Sequence, residues 1–194
     1  MCIEGSQGLK KSMREVYDVE RLDEFGQNCL HVACSENDVD AATFLIGHGA
    51  NVNAMESRGG SLEWMTPIHI AVLRNSMDLV NMLISAGADV NLVTGGHSGG
   101  STCLHLVRSS KMTRVLISAG ANINKRAVTD GMTPLMHAIE TSMMDVARVL
   151  VKAGADVNVH TTDGTPLLAS VKSSAKCDQW ISEVSTLLVK TGAS

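Results

Sequence analysis

The residue types best suited to chemistry gather in two patterns. Gly96-His97-Ser98-Gly99-Gly100 satisfies the G-x-S-x-G spacing of a hydrolase nucleophile elbow. That elbow holds its serine on a turn between a strand and a helix, above a parallel sheet, with a base placed beside it. The same stretch approaches a phosphate-binding loop: Gly95 and Gly100 are separated by four residues and followed by Ser101-Thr102. The lysine that would reach the phosphates is replaced by Ser101. The second pattern is Cys29-x-His31 with Cys34, and Cys103-x-His105, which bring metal-ligand types close in sequence. Residues two apart on a helix point in different directions, and tetrahedral zinc needs four convergent ligands.

The elements that position these residues come from a repeat. Gly-Ala-Asx-aliphatic-Asn occurs as Gly49–Asn53, Gly87–Asn91, Gly120–Asn124 and Gly154–Asn158, and Gly192-Ala193 begins a fifth copy. In step with it run Asn28-Cys29-Leu30-His31, Thr66-Pro67-Ile68-His69, Thr102-Cys103-Leu104-His105, Thr133-Pro134-Leu135-Met136 and Thr165-Pro166-Leu167-Leu168. Thr caps a helix N-terminus, and Pro suits the first helical position because its missing N–H has no intrahelical partner there. A polar break such as Asn75-Ser76 leads into a second helix with Leu79, Val80, Leu83 and Ile84 at helical spacing. Gly87 then favours the left-handed dihedrals that end it. Each unit reads as helix–turn–helix plus an extended finger, and stacking supplies the core that one unit lacks. The G-x-S-x-G pentapeptide falls in a finger, with no parallel sheet beneath it.

These paired motifs, near a 33-residue period, resemble the ankyrin repeat family over about residues 23–194. The resemblance implies an all-α solenoid of helix–turn–helix units with β-hairpin fingers, stacked in an L shape. It implies binding of another protein through finger tips and the inner-helix face, without a cofactor. It also makes His31, His69 and His105 structural, hydrogen-bonded to backbone and to the Thr of their own motif. The five repeats are placed at about 23–54, 55–91, 92–124, 125–158 and 159–194. Residues 1–22 precede them, as a short capping helix or a tail. The third unit is short, with 16 residues from Leu104 to Gly120 against 19 in units one, two and four. The fifth is long, with 25 from Leu167 to Gly192, so these two should deviate most.

Composition narrows the function. Aromatics are 3% of the 194 residues, which disfavours an aromatic-rich β-sandwich or barrel. The net charge of −4 offers no general phosphate-neutralising surface, so no nucleic-acid partner is expected. The charge is uneven: residues 1–97 carry 6 Lys/Arg and 13 Asp/Glu, residues 98–194 carry 10 and 7. No apolar run approaches the roughly 18 residues of a membrane span, and the first residues lack the apolar stretch of a signal peptide. Five irregularly spaced cysteines fit a reducing compartment. The expectation is a soluble, cytoplasmic or nuclear protein, a monomer when alone.

The fingers carry the strongest binding signal. From the last Asn of one unit to the capping position of the next the count falls from 13 to 11, 9 and 7. The longest holds Met55, Glu56, Arg58, Trp64 and Met65. Trp64 is either a binding anchor or folded back onto its neighbour. His97, Lys125, Arg126 and His160 in the later fingers complete the candidate partner-binding set. Met77, Met82, Met112, Met143 and Met144 read chiefly as core filling. The resemblance also makes Asn91 and Asn158 candidates for an iron- and 2-oxoglutarate-dependent asparaginyl hydroxylase. Each has Leu eight residues upstream and Asp-Val immediately before it. The function expected is non-enzymatic: an adaptor or scaffold for an as yet unidentified protein, or alternatively a stoichiometric inhibitor of an enzyme or transcription factor.

Overall fold

The computed structural model describes residues 27–55, 64–95, 100–172 and 178–192. Among them, ten helices run in five pairs: α1 (Cys29–Ser35) with α2 (Val39–Gly47), α3 (Pro67–Leu73) with α4 (Met77–Ser85), α5 (Cys103–Leu106) with α6 (Ser110–Ser118), α7 (Pro134–Glu140) with α8 (Met144–Lys152), and α9 (Leu167–Lys172) with α10 (Asp178–Lys190). The first helices stack as α1–α3–α5–α7, and the second helices pack as α2 on α4 and α6 on α8. The result is an all-α solenoid of two helix layers.

Leu, Ile, Val and Ala fill the space between the layers, as the scarcity of aromatics requires. Leu30, Ile68, Leu79, Leu83, Leu104, Leu116, Leu135 and Leu150 are fully buried. Met112 joins them, whereas Met77, Met82, Met143 and Met144 are half-buried and pack at the margin of the core. Each second helix ends at a glycine, Gly49, Gly87, Gly120, Gly154 or Gly192, with φ between +87° and +97°. That backbone region is strained for a residue with a Cβ. The first and second helices of units one, two and four are joined through Asn37, Asn75 and Ser142, also left-handed.

The two irregular units deviate as their lengths require. Helix α5 has four residues where α1, α3 and α7 have seven, and it ends at Val107 in extended backbone (ψ 146°). Helix α10 has thirteen residues where the other second helices have nine.

Among the described residues no strand forms, and the finger ends that they include hold one isolated β-bridge, His160–Pro166. Among the described residues the later finger backbones close on themselves with two or three bonds each, among them Thr94 N–H to the Ser101 carbonyl (2.9 Å), Ala127 N–H to Met132 (2.8 Å), and Thr161 N–H to Thr165 (2.9 Å). That is too few for a ladder. The finger residues Glu56, Arg58 and His97, the rest of the Ser98 pentapeptide apart from Gly100, and the N-terminal segment 1–22 lie outside the described residues.

Candidate partner-binding surface

Three interactions, each repeated along the stack, set the finger positions. The first is made by the motif histidines. Thr66 N–H donates to His69 Nδ1 (3.2 Å), and the Thr66 hydroxyl lies 2.8 Å from the same nitrogen. Thr102 and His105 repeat this at 3.1 and 2.9 Å. With Nδ1 accepting, Nε2 carries the proton and donates forward into the next finger: His69 to the Leu92 carbonyl (3.0 Å) and His105 to Met132 (3.0 Å). His31 Nε2 reaches Ala54 and Met65, both at 3.1 Å. Burial pushes the His69 pKa down to about 4 and lowers that of His105 too, so both rings are neutral hydrogen-bonding struts.

Unit four has Met136 in place of His, and its sulfur accepts only the Thr133 N–H (3.5 Å). Its finger, the shortest, closes itself instead: Leu167 N–H donates to the Val159 carbonyl (2.9 Å) beside the Thr161–Thr165 bond.

The second interaction is an asparagine ladder. Each Asx of the Gly-Ala-Asx motif accepts from the backbone N–H two residues on, as Asp89 does from Asn91 (2.8 Å). This is an Asx turn. The Asn at the end of the motif then reaches into the next unit. Asn53 accepts from Asp89 N–H (2.8 Å) and donates to the Gly87 carbonyl (3.3 Å). Asn91 accepts from Asn122 N–H (2.7 Å) and donates to Gly120 (3.0 Å). Asn124 accepts from Asp156 N–H (2.9 Å), and Asn158 donates to Gly192 (3.2 Å).

The third is close approach between consecutive fingers, for which glycine leaves room. Gly95 N–H donates to the Trp64 carbonyl (3.1 Å), and a Cβ on Gly95 would meet Trp64 Cγ at 2.8 Å. A Cβ on Gly100 would meet the backbone nitrogen of Val128 at 2.9 Å. A Cβ on Gly131 would meet Thr162 Cγ2 at 3.2 Å. Arg126 donates to the Gly131 carbonyl (2.6 Å) and, through both terminal nitrogens, to the His160 carbonyl (3.2 Å).

The candidate residues therefore separate. Met55 and Trp64, at the two ends of the longest finger, are 39% and 47% exposed. Trp64 rests on the neighbouring finger, as one of the two sequence readings had it, and still presents half its surface. Met65 is buried, and its carbonyl receives His31, so it belongs to the core and leaves the candidate surface. Lys125 and His160 are exposed, and Arg126, also exposed, staples two fingers together. Asn91 and Asn158 are exposed, with their amides engaged in the ladder. Val128, three-quarters exposed beside Gly100, was not singled out from sequence; the paired glycines Gly99-Gly100 were the signal that a neighbour sits there.

Among the described residues no three His, Cys, Asp or Glu side chains are placed to hold a metal, and no helix is long and apolar enough to cross a membrane. Burial pushes the thiols of Cys34 and Cys103 up to about 12, which makes them poor nucleophiles and poor ligands.

The comparisons agree with this architecture. A family model described as ankyrin repeats (3 copies) matches residues 2–94 and 92–161. The chain belongs to the ankyrin repeat family. The first match starts upstream of the boundary near residue 23 that motif spacing gave. An ankyrin repeat domain from Acinetobacter baumannii AYE, solved by crystallography, is similar in structure with a TM-score of 0.79. The two are 28% identical, over 97% of this chain and 93% of that one. No curated protein matches the sequence.

Proposed function

We propose that this chain is a non-enzymatic adaptor or scaffold that holds a partner protein against its fingers, with Trp64 and Met55 as the apolar anchors and Lys125, Arg126 and His160 as polar contacts further along. The observation that carries the reading is the Trp64–Gly95 seat. Its packing fixes the indole in one place yet leaves it half-exposed, so little side-chain entropy remains to be lost on binding. Aromatic residues pinned in this way are the usual centres of binding energy in protein interfaces. Ankyrin repeats are protein-binding modules, and the intended compartment is the cytoplasm or nucleus. Affinity purification with the wild-type chain beside Trp64→Ala tests the reading: proteins recovered by the first and lost with the second are finger-bound partners. Identical recovery by both would remove Trp64 from the interface.

The alternative function, stoichiometric inhibition of an enzyme or transcription factor, uses the same surface and differs only in what it blocks. Loss of a recovered partner's activity on adding pure protein would favour it.

Asn91 and Asn158 are proposed as hydroxylation sites in a host that has the enzyme. Their exposure supports this, and the ladder sets a condition: the enzyme acts on a chain whose finger has locally opened. Incubation followed by peptide mass spectrometry should show the gain of one oxygen atom on these peptides; unmodified peptides would end the idea.

A further inference from the structure

The third unit differs from its neighbours in charge as well as in length. From residue 90 to residue 129 there is no Asp or Glu, while Arg108, Lys111, Arg114, Lys125 and Arg126 all lie in that span. The first turns of α2, α4 and α8 carry Asp40, Asp78 and Asp145, whereas α6 carries none and has Lys111 at the same register. A cation there is opposed by the helix dipole, so nothing in the local fold recommends it. Arg108, Lys111 and Arg114 are exposed, and among the described residues none of them forms an ion pair.

The shortened unit also opens a space. Helix α5 stops after four residues, and the chain crosses to α6 through Val107, Arg108 and Ser109 alone. The neighbouring unit keeps its full turn through Ser142 and Met143. Between them lies a cleft of about 470 Å³, lined by Arg108, Ser109 and Ser110 on one side and Ser142, Met143 and Met144 on the other. Asp145 borders it too, but its carboxylate is turned to Arg148 at 3.6 Å. The cleft thus combines the Arg108 guanidinium, serine hydroxyls and two methionines, while Lys111 and Arg114 stand exposed on the adjoining helix α6 rather than in its lining.

We infer that this basic cleft on the second-helix side is an interaction surface, separate from the fingers, that docks an acidic segment of a partner protein. Carboxylates would pair with Arg108, Lys111 and Arg114, and an apolar side chain would enter between Met143 and Met144. Charge complementarity selects the occupant: Arg108, Lys111 and Arg114, which form no ion pair among the described residues, are matched by a segment rich in Asp and Glu. The inference rests on the protein-binding reading only for the class of partner. It supplies the second surface that an adaptor requires.

The test is a titration of the full chain with a short oligoglutamate peptide, followed by backbone amide shifts, in parallel with a DNA duplex. The peptide should move the amides of Ser109, Ser110 and Ser142, and Arg108→Glu/Lys111→Glu should weaken it about tenfold or more. Lys152→Glu/Lys190→Glu, an equal change in net charge elsewhere, should weaken it far less, and Trp64→Ala should leave it unchanged. Equal losses in both charge-reversed variants, shifts that avoid the cleft, or tighter binding of the duplex than of the peptide would each overturn the proposal. Failure of the finger reading would appear only in the Trp64→Ala partner experiment, so the two are distinguishable.

Discussion

Trp64 sits against Gly95 of the following finger so closely that a Cβ at Gly95 would lie 2.7 Å from Trp64 Cβ, and its own backbone is left-handed, with φ +52°. Left-handed backbone is costly for an aromatic residue, so the finger must hold it there. Two substitutions separate position from presence. Trp64→Ala removes the indole and should leave the melting temperature within a few degrees, while costing about 2 kcal/mol or more in binding if the finger is the interface. Gly95→Ala keeps the indole but displaces it, because the clash is with Cβ and Cγ rather than with a flexible tip. It should weaken the same partner with little further loss of stability. A melting curve beside a titration checks both. A large fall in melting temperature with unchanged affinity would make Trp64 a core residue.

The ladder residue Asn91 gives a second case. Its amide links two successive units through Gly120 and Asn122. Asn91→Ala should cost about 1–2 kcal/mol, because both bonds are exposed to water and individually modest. Hydrogen exchange should speed up at Asn122. Unchanged exchange there would show that the ladder is incidental.

The fold was legible because each unit repeats a local rule. Thr or Asn at the cap, Gly with positive φ and the Asx turn are all decided within a few residues, so they can be read without knowing the neighbours. What depends on contact between units was less legible. Met65 looks like a finger residue in sequence, yet its carbonyl receives His31 from 34 positions away. Arg126 reads in sequence as a partner contact, and that its guanidinium also binds carbonyls on two fingers could not be read there. Hairpins were expected from the family resemblance; the finger ends that are described hold too few backbone bonds for strands. The cleft beside Arg108 was half visible: the missing three residues could be counted, while the space they leave depends on the next unit keeping its full turn.

Acid should loosen the stack through the buried histidines. His69 is fully buried, and its folded pKa of about 4 lies below the unfolded value near 6.5. The unfolded chain therefore takes up the proton first as pH falls. Stability is whole above pH 6.5 and declines as pH drops toward 4, by about 3 kcal/mol at most from this residue. His105 shifts in the same direction and adds to the slope. Urea melts across that range should show the decline, and His69→Gln should flatten it. An imidazole resonance of His69 titrating near 6.5 in the folded chain would contradict the buried-strut role.

Burial also predicts thiol behaviour. With the pKa values of Cys34 and Cys103 raised to about 12, the thiolate is scarce at pH 8 and the sulfur is screened from reagents. Iodoacetamide should label both slowly in the native chain and quickly in urea. Rapid native labelling of either would mean that its helix pair opens far more often than the packing implies.

Damage to one unit should spread unevenly along the stack. Leu83 in α4 and Leu150 in α8 occupy the same register of the second helix, and both are fully buried. Truncation to Ala removes the methyl groups and leaves a cavity, at a cost of roughly 2–5 kcal/mol. In a stack, each unit is stabilised chiefly by its neighbours, so the position of the cavity should decide who suffers. Leu83→Ala lies in a unit that α1 and α2 flank on one side and the shortened third unit on the other. Because α5 has only four residues, that second interface is the weaker support, and protection from hydrogen exchange should fall further in α5 and α6 than in α1 and α2. Leu150→Ala adjoins the fifth unit, where the Arg148–Glu183 contact at 3.5 Å is an exposed pair worth at most about 1 kcal/mol. Its damage should therefore reach α9 and α10. Exchange measured helix by helix on the two variants checks the contrast. Equal loss of protection in all ten helices for both would show that the array unfolds as one cooperative unit, with the short third repeat as strong a link as the others.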